Sequence, residues 1–188
     1  MVIYYSLENF GSVKKSQVVS FEAKNYDDLE EYFIIEPLPG LRLLKLVFLY
    51  GANGSGKTTI LRGLEFLRDL VLAPLEKKTE TLNYKQFLLD ENSRLEDSSM
   101  EIAFVSNKRR YVYNIVFNNH CIVTEKLLVY NPKKSTVFER TTDVERQLTS
   151  IRFGSKIRLR KSDANHLKTI TLWNNSVLGG FLKANVEV

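Results

Sequence analysis

Apolar residues near the start of the chain follow the pattern of paired β-strands. Residues 2–6 are mainly apolar or aromatic, and residues 17–23 place apolar side chains at every second position. A period of two is typical of a half-buried strand. We therefore expect two strands, separated by a turn at residues 9–12, that pair as a hairpin. Residues 25–32 are acidic and predict a short helix or loop.

The pattern then changes to a continuous apolar run and after it to a helical period. Residues 37–40 (PLPG) interrupt regular structure, and residues 43–50 are apolar at every position except Lys45. Such a run before a glycine is typical of a central parallel strand covered on both faces. Residues 58–72 predict a helix that is closed by Pro74. Its apolar face is expected to comprise Leu61, Leu64, Leu67 and Val71.

The second half of the chain is rich in short strands. We expect them at residues 100–106, 111–117, 121–130 and 136–139, separated by turns, as an antiparallel meander. A helix is predicted at residues 172–182. The expected units are then a core at 1–75, an inserted connection at 76–99, a β-subdomain at 100–150 and a basic, then apolar segment at 151–188.

Composition narrows the class of protein without naming a function. The 188 residues, 44% hydrophobic and 26% charged, suffice for one globular domain with or without a small subdomain. No apolar run reaches the roughly 18–20 residues that span a bilayer, so no membrane partner is expected. The N-terminus lacks signal-peptide features. The single cysteine, Cys121, excludes an internal disulfide framework and favours a reducing cytoplasm.

One short motif has a definite chemistry. It matches G-x-x-x-x-G-K-[ST] in full and lies between the predicted apolar strand and the predicted helix, as a P-loop does. Glycines allow the tight turn, backbone N–H groups surround phosphate oxygens, and the helix presents its positive end to the same anion. The motif consists of Gly51, Ala52, Asn53, Gly54, Ser55, Gly56, Lys57 and Thr58.

The last residues of the motif have distinct predicted roles. Lys57 is expected to bind the terminal phosphates as the catalytic group, and Thr58 to bind a Mg²⁺ ion that bridges them. The predicted nucleotide contacts are Gly51, Asn53, Gly54, Ser55, Gly56, Lys57, Thr58 and Thr59. A small GTPase is disfavoured because the only Asn-Lys pair, at 107–108, is followed by arginines. A small nucleotide kinase is disfavoured because strands occupy the place of its arginine-rich helical lid.

Two motifs together resemble the ABC-type ATPase heads of the SMC and RecF kind. An Asn-Phe-x-Ser turn stands at residues 9–12, and the P-loop contains the asparagine of this subgroup at Asn53. Residues 50–54, 64–70, 87–93 and the strands from 100 to 130 further resemble bacterial AAA-annotated ATP-binding proteins of abortive-infection and phage-defence systems.

This resemblance implies a fold and a ligand. The fold is an α/β P-loop NTPase N-terminal lobe with an antiparallel β-subdomain, an ABC-ATPase-like half-head. The ligand is ATP with Mg²⁺, and the role is phage defence or DNA maintenance with an effector nuclease as partner.

The chain also departs from the resemblance. Relatives often have arginine at the third position of the Asn-Phe-x-Ser turn, where this chain has Gly11, so Lys14 or Lys15 is left as the candidate phosphate contact. Neither a Walker B strand nor a Leu-Ser-Gly-Gly signature follows residue 100, and Gly179-Gly180 lacks the signature's order. Gln86 and Gln147 are both candidates for the Q-loop glutamine.

These absences predict an incomplete ATPase. We expect an N-terminal half, truncated or naturally split, that binds Mg-ATP and needs a missing C-terminal lobe and a homodimer to hydrolyse it. The alternatives are a non-catalytic module in which ATP holds an assembly together, and a self-contained small NTPase or kinase.

Weaker signals concern charge and metal binding. Residues 151–168 are basic, and Lys156, Arg158 and Arg160 would share one face of a strand that could follow DNA, although a solvated face or a docking surface is favoured. Residues 108–110 are interpreted as a plain turn. His120 and His166 lack metal-ligand spacing. The apolar cluster around Trp173 is expected in the core or at an interface with the missing lobe.

Overall fold

The computed structural model describes residues 1–24, 29–155, 157 and 159–186. Within them the chain forms nine strands, four helices and a single 3-10 turn at Asn92–Arg94. The elements in chain order are β1 (Val2–Glu8), β2 (Gln17–Ser20), α1 (Glu30–Phe33), β3 (Ile34–Leu38), β4 (Leu41–Leu44), α2 (Lys57–Leu72), β5 (Ser98–Ser106), β6 (Arg109–Phe117), β7 (Ile122–Asn131), β8 (Lys133–Asp143), β9 (Leu148–Phe153), α3 (Lys161–Ile170) and α4 (Val177–Ala184).

A seven-stranded antiparallel sheet forms the body of the molecule. Its strand order is β2-β1-β5-β6-β7-β8-β9, and β3 and β4 form a separate hairpin. The predicted hairpin of the first two strands and the predicted meander are both confirmed, while β9 was not predicted. Because β1 also pairs with β5, the sheet runs without a break from the predicted core segment into the predicted β-subdomain.

Helix α2 lies on this sheet and confirms the helix predicted at residues 58–72. Its buried residues are Gly63, Leu67 and Leu70, whereas Leu61 of the predicted apolar face is 58% exposed. Gly63 brings the helix close to β1, because a Cβ there would lie 2.2 Å from the Tyr5 hydroxyl oxygen. A residue larger than glycine at this position of the helix would therefore collide with side chains of the sheet.

The prediction of a central parallel strand at residues 43–50 is wrong. Only Leu43 and Leu44 are in a strand, β4, which pairs antiparallel with β3. The rest of the run is irregular and, apart from the half-buried Val47, exposed, to 76% at Phe48 and 92% at Tyr50. A central parallel strand needs hydrogen-bonded neighbours on both sides. All the strand pairs in the described residues are antiparallel, so the run has no such neighbours there.

The C-terminal segment also differs from the prediction. The helix predicted at 172–182 begins only at Val177, and the basic stretch before it contains α3. Of the predicted basic stripe, Lys156 and Arg158 lie outside the described residues, and Arg160 is the N-cap of α3. Residues 25–28 of the predicted acidic segment also lie outside them, and the remainder leads into α1. Within the described ranges, no helix is long and apolar enough to cross a membrane.

Candidate functional site

The glycine-rich loop at residues 51–56 leads directly into α2. Gly54 and Gly56 have φ values of 80° and 91°, which belong to the left-handed region that glycine adopts without strain. Gly56 is the N-cap residue of α2, and no side chain caps this helix end. The first N–H groups of a helix have no partners within the helix and attract anions. The loop therefore leaves the positive end of α2 available to an anionic ligand.

Lys57 bends back over the loop that precedes it. Its ammonium donates hydrogen bonds to the carbonyl oxygens of Gly51 and Ala52 at 2.8 and 2.7 Å, and to the Ser55 hydroxyl at 3.4 Å. These bonds place one positive charge across the loop and close to the N-terminus of α2. Lysine and helix end together concentrate positive potential in one place.

The two threonines after Lys57 have different surroundings. Thr58 is exposed, and its hydroxyl has no hydrogen-bond partner among the described residues. Thr59 is half-buried, and its hydroxyl is 2.7 Å from that of Ser12. A free hydroxyl at Thr58 fits the ligand that Mg²⁺ would need from the chain. No cluster of three or more His, Cys, Asp or Glu residues in the described ranges could hold a metal ion, so other ligands would have to come from nucleotide and water.

The Asn-Phe-x-Ser turn is fixed from both sides. Asn9 is buried, and its side-chain amide donates to the carbonyls of Ser93 and Glu96 at 2.8 and 2.9 Å. Gly11 has a φ of 56°, and a Cβ there would lie 2.8 Å from the Thr59 methyl group. The turn therefore packs against the first turn of α2, and the sequence motif alone did not reveal that contact.

Position 11 has little room for a side chain. A side chain there would collide with Thr59 and would strain the backbone. Lys14, one of the two candidate replacements, forms an ion pair with Asp90 at 3.1 Å, so its charge is already partnered. Of the two Q-loop candidates, Gln86 donates to the Glu96 carbonyl at 3.1 Å, and Gln147 lies in the turn between β8 and β9 with a φ of 54°.

A groove with a volume of about 710 Å³ lies along α2. It begins at Gly11 and Thr59, follows one side of α2 and ends near Pro74. Aromatic side chains and charged ones both line it, namely Phe10, Phe66, Tyr84, Arg62, Glu65, Asp69 and Lys85. Its volume lies within the range of small-molecule sites.

A buried ion pair between β7 and β8 is a second feature that sequence analysis missed. Glu125 and Arg140 have side chains with 0% exposure, and their charged atoms are 3.4 Å apart. The Glu125 carboxylate accepts hydrogen bonds from the Tyr113 hydroxyl at 2.8 Å and from the backbone N–H of Val177. Burial raises the pKa of Glu125 and lowers that of Arg140, and each residue's charge opposes the shift of the other.

Arg140 and Glu125 together hold the segment before α4. The Arg140 guanidinium donates to the carbonyls of Trp173 and Asn175, while Glu125 accepts from the first N–H of α4. Ser176 caps that helix by accepting from the Gly179 N–H at 2.9 Å. A serine before an apolar run is a recognisable N-cap, and it was the only sequence signal for this arrangement.

The same segment is bonded to the far end of α2. The Ser176 hydroxyl donates to the Leu70 carbonyl at 2.7 Å, and the Asn175 amide exchanges two hydrogen bonds with the backbone of Leu75. Asn174 donates to the carbonyls of Lys77 and Glu80. The C-terminal end of α2 is thus joined through residues 174–176 to β7 and β8, while its N-terminal end faces the glycine-rich loop.

The remaining candidate groups have structural positions. Cys121 is buried, and burial raises the pKa of its thiol, which disfavours a nucleophilic thiolate. In the cluster around Trp173, Val177 and Phe181 belong to the core, whereas Leu182 is 54% exposed. The predicted position in the core is therefore confirmed for Val177 and Phe181.

A comparison with protein families gives one match. The family described as "AAA domain, putative AbiEii toxin, Type IV TA system" matches residues 46–178, which include the glycine-rich loop, α2 and the meander. No curated protein matches the chain.

Proposed function

Because the chain belongs to this family of AAA domains, we propose that it binds Mg-ATP at residues 51–59. The observation that supports this most directly is the convergence of Lys57 and the uncapped N-terminus of α2 on one glycine-rich loop. A phosphate there would meet backbone N–H groups, a helix dipole and an ammonium group together.

Each side chain of the site has a proposed part. The Lys57 ammonium exchanges its bonds to the loop carbonyls for bonds to the terminal phosphates. Asn53, Ser55 and the three glycines shape the loop. Thr59 donates its backbone N–H to the nucleotide, while its hydroxyl stays hydrogen-bonded to that of Ser12. Thr58 supplies a hydroxyl ligand to Mg²⁺, which when bound neutralises charge between the phosphates. The groove beside Thr59 has room for the nucleoside.

The exposed apolar run supports a proposal about assembly. Phe48 and Tyr50 are largely exposed although their run is apolar enough for a sheet interior. We propose that a strand of a C-terminal lobe covers this run and that two such heads close around ATP, as the ABC-type resemblance implies. On this proposal the 1–75 and 100–150 units form one N-terminal lobe, and the chain alone hydrolyses ATP slowly.

The biological role proposed here is abortive infection or phage defence, or alternatively DNA maintenance, with an effector nuclease as partner. The family description supports the first of these. A non-catalytic module, in which ATP only holds an assembly together, has the same nucleotide site and differs only in turnover after assembly. A self-contained NTPase or kinase would turn over rapidly without any partner.

The nucleotide proposal is tested by calorimetric titration of Mg-ATP into the chain. Lys57→Ala removes a charged hydrogen-bond donor worth about 1.5–3 kcal/mol, so affinity should fall roughly 10- to 100-fold. Lys77→Ala is the matched control, because Lys77 is an equally charged, exposed residue outside the loop. Equal affinities of Lys57→Ala and wild type would reject the site.

Turnover measured on the same samples separates the assembly proposals. Binding with very slow hydrolysis supports an incomplete head. Rapid hydrolysis by the monomeric chain, abolished in Lys57→Ala, would reject the need for a second lobe while leaving the nucleotide site intact.

A further inference from the structure

Two β-turns project from the same end of the sheet. The β5–β6 turn is closed by the pair Ser106 and Arg109, and the β7–β8 turn by the pair Asn131 and Lys133. Arg110 pairs with Tyr130 across β6 and β7, so the two turns are neighbours. Their end of the sheet is the one where β1 begins. The start of α2 contacts, through Thr59, the turn that follows the other end of β1.

These turns form a basic edge, which we define as Lys108, Arg109, Arg110, Lys133 and Lys134. All of them are exposed except Arg110, which is half-buried with its guanidinium 5.4 Å from the centre of the Tyr130 ring. In the part of the chain that the structure describes, none of the five forms an ion pair with a carboxylate. Five uncompensated positive charges on adjacent turns repel one another, which an anionic partner would relieve.

The spacing of these charges favours an extended partner. The turns are centred two strand spacings apart, which is about 10 Å. From β5 to β8 the row of positive charges extends over three strand spacings, or about 14 Å. A small anion would contact only part of it.

The backbone of the first turn places Lys108 at the tip of the β5–β6 hairpin. Asn107 and Lys108 have φ values of 49° and 57°, as in a two-residue hairpin turn of the I′ type. The second of these positions is ordinarily glycine, since other residues adopt a positive φ at a conformational cost. Lys108 occupies this position and is exposed.

We propose that the basic edge binds the phosphate backbone of double-stranded nucleic acid. A duplex presents a negative charge every ~1.7 Å along its axis, which matches an extended row of cations better than a single bound anion does. The tips consist of Ser106, Asn107, Asn131 and Pro132 besides the cations, and they offer no large apolar side chain for insertion into a membrane. Turns that contact only phosphates read no base sequence, so the binding is sequence-independent.

The test is fluorescence anisotropy of a labelled 20-base-pair DNA duplex titrated with the full chain over a range of salt concentrations. Lys133→Gln/Lys134→Gln should weaken binding and lower the slope of log affinity against log salt by about 2, one for each lost phosphate contact. Lys77→Gln/Lys78→Gln removes the same two charges from an exposed segment outside the basic edge and should leave the slope unchanged.

Lys108→Gly separates binding from folding. Glycine suits the backbone of this turn, so the melting temperature should not fall, while the salt slope should fall by about 1. The proposal is overturned if the wild-type chain does not bind the duplex, or if the two double variants weaken binding equally. It is also overturned if the chain binds vesicles containing phosphatidylserine but not the duplex.

Discussion

The ion pair inside the sheet and the apolar run before the glycine-rich loop contrast in composition and in surroundings. Glu125 and Arg140 are charged and have 0% exposure, whereas Phe48 and Tyr50 are aromatic and have 76% and 92% exposure. Charged groups ordinarily lie at the surface and aromatic groups inside. Each inversion therefore has a reason. The ion pair has hydrogen-bond partners for its polar atoms except Arg140 Nε, and the apolar run has no strand beside it among the described residues.

Helix α2 extends between these two regions of the molecule. Its C-terminal end is bonded through Ser176 to the segment that Glu125 and Arg140 hold. Its N-terminal end has no side-chain cap and faces the glycine-rich loop. The helix is therefore held at both ends: Ser176 bonds to its C-terminal end, and the turn at residues 9–12 contacts its first turn through Thr59. Substitutions in the two regions should accordingly have very different effects on stability.

The largest expected effect is at the buried ion pair. Glu125→Ala leaves the Arg140 charge buried and unpaired, which should lower the free energy of unfolding by about 3–5 kcal/mol. Glu139→Ala is the matched control, because Glu139 pairs with Lys126 at 3.0 Å on the same two strands but both side chains are partly exposed. That exposed pair should contribute less than about 1 kcal/mol. Urea denaturation measures both, and equal losses would contradict the contrast.

A smaller effect is expected where α2 meets β1. Gly63→Ala would place a methyl group 2.2 Å from the Tyr5 hydroxyl oxygen and should destabilise the fold by about 1–3 kcal/mol. The Tyr5 hydroxyl is buried without a hydrogen-bond partner among the described residues, so Tyr5→Phe should not destabilise the protein.

The double variant Gly63→Ala/Tyr5→Phe then tests the cause. It should recover much of the loss, since the collision is with the hydroxyl. If urea denaturation gives the double variant the same stability as Gly63→Ala alone, the contact between helix and strand is not the source of the strain.

Substitutions in the apolar run should have almost no effect on stability. Phe48→Ser and Tyr50→Ser alter exposed side chains and should change the free energy of unfolding by less than about 0.5 kcal/mol. Both variants should also be less prone to self-association, which light scattering measures. A loss comparable to that of Gly63→Ala would mean that the run is packed in solution.

The smallest effect concerns pH. Hydrogen bonds from Ser93, and then the Lys14 ion pair, hold the pKa of Asp90 below its ordinary value. The folded value lies below the unfolded one, so this carboxylate stabilises the fold above the ordinary Asp pKa of about 3.9 and loses that contribution as pH falls through the folded value. The stability difference between wild type and Asp90→Asn should vanish at low pH, and a constant difference would contradict it.

Sequence patterns predicted the elements whose partners are close along the chain. The alternation in β5 to β8 sufficed because each strand pairs with the next, and the period of α2 gave its bounds nearly correctly. The strand predicted at residues 43–50 was wrong because hydrophobicity indicates only a tendency to be buried. It does not reveal whether a neighbouring strand exists. The prediction for Leu61 was wrong as well, since the buried residues of α2 are Gly63, Leu67 and Leu70.

The sequence motif predicts the residues of the candidate site, but it does not predict the contacts that hold them in place. The motif named Lys57 and the glycines from local chemistry alone. The contact between Ser12 and Thr59 spans 47 positions, and that between Ser176 and Leu70 spans 106. Contacts at such separations depend on the whole fold, and no local pattern in the sequence indicates them.

Hydrogen–deuterium exchange of the chain with and without Mg-ATP tests the central claim most directly. Amides of residues 51–59 should exchange more slowly when Mg-ATP is present, and Lys57→Ala should abolish this change. Amides of β5 to β8 should exchange slowly in both conditions, because the sheet is already anchored. Unchanged exchange at residues 51–59, or new protection confined to the sheet, would contradict the account.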